Sequence, residues 1–248
     1  MSVITNDSAK INQLFVRMNR NKPLTGAEIR NAMKGAVPPA IRAIAKHKFF
    51  TQKCSFPTNR GQDKNVAAKL LLLSHSNQFV NTKKNDLDTF VKRFEQSSSN
   101  STELAAAEKK AIRTLDELAG QFSDTDSKLK ASGLIPVYFR VVEQHGAERF
   151  GEFLTFWNTY SVSDETTLSN SSFVDDHLKM RVRVFNLLKR NVNDSTSMQR
   201  LFAVLSLEFR RFQVGVYAEE IKSMGRFVSK VKAAKRKSKN DLVAKSKA

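Results

Sequence analysis

Two short stretches near the start of the chain carry residue types that bind phosphate or carboxylate. Arg17 and Asn19 sit two residues apart at the end of an amphipathic run, and Glu28, Arg30 and Asn31 follow in a second run. Arginine presents a planar fork of donors that matches phosphate or carboxylate, and asparagine adds a donor and an acceptor. Residues two apart share a face in a strand and diverge in a helix. Arg17 and Asn19 therefore meet at one site only where the end of a helix frays. The simpler reading leaves Arg17 on a solvated face and Asn19 in a turn. Glu28 has a structural role open to it. With Thr25 it forms a capping box worth roughly 1 kcal/mol. Arg30 and Asn31 point elsewhere and are placed to meet Arg17 and Asn19 across the intervening turn.

Other groups offer less. Arg60-Gly61-Gln62-Asp63 reads as a helix entry with Asp63 as its N-cap. Lys230, Lys232, Lys235, Arg236, Lys237 and Lys239 form a basic run that suits phosphates but carries no code for bases. Phe227 is the aromatic beside it, so base stacking has little support. Asp175-Asp176-His177 sets three ligand types in a row, yet neighbouring side chains on a helix diverge. Acids there complement the N-terminal dipole instead. The histidines, His47, His75, His145 and His177, are scattered, and Cys54 is the lone cysteine. That excludes an internal disulfide and a cysteine-based zinc site. No Gly-rich phosphate loop or nucleophile motif occurs. No catalytic residue and no metal is expected.

The run Phe15-Val16-Arg17-Met18-Asn19, continued by Pro23-Leu24-Thr25-Gly26-Ala27-Glu28-Ile29-Arg30-Asn31-Ala32, resembles a segment of the GmrSD-type restriction-endonuclease family. The family pattern is F-x-R-x-N-x-G-G-x-x-L-x-x-x-E-x-R-N-A, in an N-terminal domain related to ParB and sulfiredoxin folds. There the segment follows a strand-rich half with an Asp-Gly-Gln-Gln-Arg nucleotide motif, which this chain lacks. The resemblance, over residues 8–100, implies the C-terminal, helical half of such a domain. It implies that Arg17, Asn19, Arg30 and Asn31 border a nucleotide or phosphate pocket. The other wall would come from a partner chain carrying the missing half, with a nucleoside triphosphate held between them. It also implies a setting in restriction or phage defence. Two departures matter. The family's paired glycines are Arg20 and Asn21 here, which disfavours close backbone approach to phosphate. The His-Asn-His nuclease signature of longer members is absent.

Composition sets the frame for these residues. The 248 residues include eighteen Phe but few Gly and Pro, enough apolar material for a large helical core. The net charge is +18 and uneven: residues 1–60 hold eleven Lys/Arg against two acids, and 222–248 hold ten against one. Residues 61–221 balance. Basic ends of this kind point to nucleic acid or another anionic partner. No helix-turn-helix or zinc-finger spacing declares itself, so phosphate contact is expected rather than sequence reading. No signal peptide or apolar run of membrane-spanning length is found. A cytoplasmic protein is expected.

Periodicity predicts helices at about 8–18, from just after Thr25 to near Gly35, and from Val37 onward. A loop at 51–62 leads to a helix capped by Asp63. Further helices are predicted at 86–96, 102–122, 137–144, 147–160, 174–191 and 196–217. The pair 137–144 and 147–160 reads as antiparallel neighbours, Ser161 to Ser172 as a loop, and Met224 to Lys237 as an amphipathic helix. The expected fold is mainly α, a multi-helix bundle with few or no strands and a basic, disordered C-terminal tail. It divides as 1–100, 101–221 and 222–248, with a polar break at Ser97 to Ser101. The expected function is a nucleic-acid-binding interaction module, DNA being the favoured partner. The alternatives are an autonomous nuclease or NTPase, for which no complete site assembles, and a truncated remnant.

Overall fold

The computed structural model describes residues 23–95, 101–161, 176–219 and 221. The first described helix, α1 (Gly26–Ala32), starts where the capping box places it. Glu28 N–H donates to Thr25 Oγ1 at 3.2 Å, and Thr25 N–H donates to Glu28 Oε2 at 2.7 Å. The next helix, α2 (Val37–Ala45), carries Pro38 and Pro39 in its first turn, where no N–H is needed. Ile41, Ile44 and Ala45 turn inward. The stretch expected as a loop after residue 50 is partly wound. A π-turn (Phe49–Lys53) buries Phe49 and Phe50, and a 3₁₀ turn spans Asn59–Gly61.

The chain then enters α3 (Gln62–Ser76) through Arg60 and Gly61, both left-handed at φ +59° and +74°. Gly61 is the N-cap, so the expected cap role of Asp63 is corrected. Asp63 sits within the first turn, where its charge complements the helix dipole. A similar shift occurs at α4 (Lys84–Arg93). Asp86 lies inside the helix and accepts from Lys83 N–H at 3.1 Å, so the helix begins two residues before the expected start. The later helices are α5 (Ser101–Ala119), α6 (Ile135–His145), α7 (Phe150–Ser161), α8 (Asp176–Leu188) and α9 (Ser195–Gln213). The expected helices at 8–18 and 224–237, and most of the loop expected at 161–172, lie outside the described residues. Among the described residues the β structure amounts to one isolated bridge, Cys54 with Asp126. The protein is mainly α-helical.

Packing follows the apolar stripes. Leu87, Phe90 and Val91 of α4 and Phe94 at its C-cap are buried, as are Leu104, Ala107, Ala111, Leu115 and Leu118 of α5. The central helix is α3, against which α1, α2, α4, α5 and α6 pack. Its apolar residues go nearly all round, as expected for a helix enclosed by others. Val66, Ala67, Leu70, Leu71 and Leu73 are fully buried, and each large side chain contributes about 2 kcal/mol of transfer free energy. α9 organises the other half, packing on α6, α7 and α8. Between them lies an aromatic cluster in which Phe150 and Phe153 meet Phe209 at 5.1 and 5.2 Å, and Trp157 meets Phe185 edge-on at 5.3 Å. The expected pairing of α6 with α7 is corrected. α6 packs chiefly on α3, α5 and α9, and α7 on α8 and α9. Packing also crosses the polar break near residue 100, since α5 lies on α2 and α3. One cluster of buried apolar residues runs from Val37 to Tyr217. No described helix is long and apolar enough to cross a membrane.

Candidate phosphate and nucleic-acid site

Arg30 and Asn31, adjacent in sequence, go separate ways. Arg30 enters the interior, with only 2 % of its surface exposed. Its Nη1 donates to Asp88 Oδ1 at 2.8 Å and its Nη2 to Asn65 Oδ1 at 2.6 Å. One guanidinium thus ties α1 to α3 and α4. Partial burial pushes the Asp88 carboxyl upward, but Arg30 and Lys84 outweigh it and hold its pKa below the ordinary value. Both terminal nitrogens of Arg30 are thus engaged within the fold, while its Nε is buried with no partner.

Asn31 instead borders an open cleft of about 350 Å³ with Glu28, Thr58, Arg60, Gly61, Asp63 and Lys64. Arg42 Nη1 donates to Asn31 O at 3.3 Å and lies 3.4 Å from its Oδ1. Arg60 forms one wall. Its Nη2 donates to Glu28 Oε2 at 3.1 Å and also to Pro23 O, and its carbonyl accepts from Thr25 Oγ1 at 3.1 Å. The Glu28 carboxyl is pulled down to about 2, first by Arg60 and then by Thr25 N–H. Glu28 therefore closes the capping box and also anchors Arg60. Two carboxylates, Glu28 and Asp63, face two cations, Arg60 and Lys64. Such a balance gives the cleft no strong pull on an anion.

The structure brings Glu28, Asn31 and Arg60 together and sends Arg30 into the core. Arg17, Asn19, Asp175 and the basic run Lys230, Lys232, Lys235, Arg236, Lys237 and Lys239 lie outside the described residues. Of the seven Lys/Arg among residues 23–60, four are matched by a carboxylate in space. Besides Arg30 with Asp88 and Arg60 with Glu28, Lys48 meets Asp116 at 2.9 Å and Lys53 meets Asp124 at 2.7 Å. The exposed pairs among these, such as Lys48 with Asp116, add little stability, but they cancel charge locally. Three of those four carboxylates come from residues 88–124, so part of the imbalance along the sequence disappears in the fold.

A second cleft, of about 440 Å³, opens where the start of α4 meets the turn between α8 and α9. Lys83, Arg190, Asn191, Asn193, Asp194 and Ser197 line it. Asp194 caps α9, accepting from Ser197 N–H at 3.1 Å, and Lys83 Nζ stands 3.9 Å from it. The cap hydrogen bond from Ser197 leads in holding the Asp194 carboxyl below its ordinary range. Asn193 fastens the turn to the body. Its Oδ1 accepts from Lys69 Nζ at 2.6 Å and its carbonyl accepts from Thr82 N–H at 2.9 Å. Lys69 is buried in α3, and burial, aided by the nearby Arg30 charge, pushes its ammonium down to about 8. Lys69 did have a signal in the sequence, as the one charge interrupting the apolar run from Val66 to Leu73. Arg60 stood out only as part of a helix entry, and Asn193 not at all, because their partners lie far along the chain.

Asp176 and His177 are exposed, and Asp176 sits in the first turn of α8 beside Lys179 at 3.5 Å. Among the described residues no group of three His, Cys, Asp or Glu is arranged to hold a metal ion. Burial pushes the Cys54 thiol up to about 12, the opposite of what a reactive thiolate needs. No family model, curated protein or solved structure matches the chain.

Proposed function

We propose that this protein is a nucleic-acid-binding interaction module, a helical scaffold that meets phosphates mainly through its C-terminal basic segment. Charge carries the reading: net +18, with ten Lys/Arg against one acid over residues 222–248. Ion pairing within the fold supports the emphasis on that segment, because Arg30, Lys48, Lys53 and Arg60 already face carboxylates. Contacts of this type are insensitive to sequence and weaken steeply with salt. The resemblance to GmrSD-type proteins supports a DNA-defence setting. In that setting a separate chain bearing Asp-Gly-Gln-Gln-Arg would complete a nucleotide site with Arg17, Asn19 and the cleft at Asn31. Arg30 would then support α1 from within and leave the ligand to its neighbours.

The test is fluorescence anisotropy with labelled duplex DNA across a salt series. The parent should bind at low salt and release as salt rises. A variant with Lys230, Lys232, Lys235, Arg236, Lys237 and Lys239 all changed to Gln should lose most of the affinity and most of the salt dependence. No binding by the parent at low salt would overturn the proposal.

A further inference from the structure

We propose that the solvent face of α9 enters the major groove of duplex DNA. The inference rests on the nucleic-acid reading above and adds a second, sequence-reading surface to it. α9 buries Met198, Leu201, Leu205, Phe209 and Phe212 on one side. The opposite side presents Thr196, Gln199, Arg200, Ala203, Leu207 and Arg210, all exposed. At helical spacing these six fall within one narrow arc facing away from the core. Nineteen residues make the helix about 28 Å long, and the B-form major groove admits a helix of ordinary width.

The chemistry of the face suits base edges. Arginine pairs with guanine and glutamine with adenine through two hydrogen bonds each, and small or apolar side chains meet the thymine methyl group. Arg200, Gln199, Ala203 and Leu207 supply these types side by side. Charge complementarity selects the occupant. The face carries Arg200 and Arg210 and no carboxylate. The single acid of α9, Glu208, is fully buried, where Arg181 and Tyr217 hold it. At the N-terminal end, Lys83 and Arg190 line the 440 Å³ cleft and flank the face with positive charge suited to a phosphate strand. Two carboxylates stand nearby: Asp194, engaged as the N-cap, and Asp86, which accepts from Lys83 N–H at 3.1 Å. Leu207 is 47 % exposed, a large apolar group on an otherwise polar arc. A second copy of the chain would set arginine against arginine on this face. The major groove of duplex RNA is too deep and narrow for a helix to read, so the geometry points to B-form DNA.

The experiment uses the full chain. A random pool of DNA duplexes is enriched on the parent and sequenced, and affinity for the enriched duplex is measured beside an RNA duplex of the same sequence. Two α9 variants are compared, Gln199→Ala combined with Arg200→Ala, and Ala203→Glu, together with the tail variant described above. Because all three α9 positions are exposed, melting temperatures should match the parent. The proposal expects a short enriched motif and DNA binding about tenfold weaker in the α9 variants, with RNA binding unmoved. An unenriched pool, with α9 variants binding like the parent and only the tail variant failing, would overturn the proposal and leave the nucleic-acid reading standing. Equal losses on DNA and RNA duplexes would also overturn it. A parent that binds no duplex at low salt would overturn both.

Discussion

Arg30 and Glu28 lie half a turn apart on α1 and do opposite kinds of work. Arg30 is buried against Asp88 and Asn65, so Arg30→Ala leaves a largely buried carboxylate without its main partner. Loss of one member of a buried pair costs about 3 kcal/mol, which should appear as a lower urea midpoint at unchanged slope. Glu28 acts at the surface, and its effect depends on pH. Its carboxyl titrates at about 2 in the fold against an ordinary 4.5. As pH falls, the unfolded chain takes up this proton first, so the contribution is complete above about 4.5 and is lost between there and about 2. The parent should therefore lose stability more steeply from pH 5 to pH 3 than Glu28→Gln. Equal slopes in urea titrations at those pH values would refute the Glu28–Arg60 linkage. The sequence exposed half of this. Thr25 and Glu28 are three residues apart and announce their box. Arg30 looked like a ligand residue because its partners, Asn65 and Asp88, stand 35 and 58 residues away.

At the scale of helices, local signals located the elements and long-range contacts decided their neighbours. The stripes of α4 and α5 are buried residue for residue as periodicity predicts. Boundaries moved where a cap residue had competition. Asp63 looks like an N-cap and Asp86 like a helix start, yet Gly61 and Lys83 take the cap positions and leave the acids in the first turn. The neighbours of α7 were not legible, because Phe153 and Trp157 are completed by Phe209 and Phe185 from helices far along the chain. Gly151 is a further case. It sits in α7 with no unusual backbone angle, but a methyl group there would lie 2.2 Å from the carbonyl oxygen of Gln121. The obstacle is backbone and cannot swing aside. Gly151→Ala should push α7 off the end of α5 and cost about 2 kcal/mol, as overpacking does, despite its better helix propensity. A thermal melt that rises in this variant would contradict the close approach.

For the whole molecule, charge along the chain and charge in space are different quantities. Lys48 and Lys53 belong to the basic N-terminal sixty residues by sequence, but they face Asp116 and Asp124 in the fold. Changing both to Gln should alter the slope of log affinity for DNA against log salt by less than about 0.5, whereas each phosphate contact removed from the tail should lower it by about 0.9. That comparison separates cations that meet nucleic acid from cations that hold the scaffold.

The clasp formed by Lys69, Thr82 and Asn193 bears on how the chain is made. α3 leaves the ribosome early and carries a lysine that must be enclosed, yet its acceptor is synthesised 124 residues later. Until Asn193 emerges, Lys69 lacks the acceptor it has in the fold, so this part of the enclosure of α3 comes late in synthesis. A nascent chain stalled short of Asn193 should stay sensitive to protease within α3 and bind holdase chaperones, and it should lose both properties once the turn before α9 has cleared the exit tunnel.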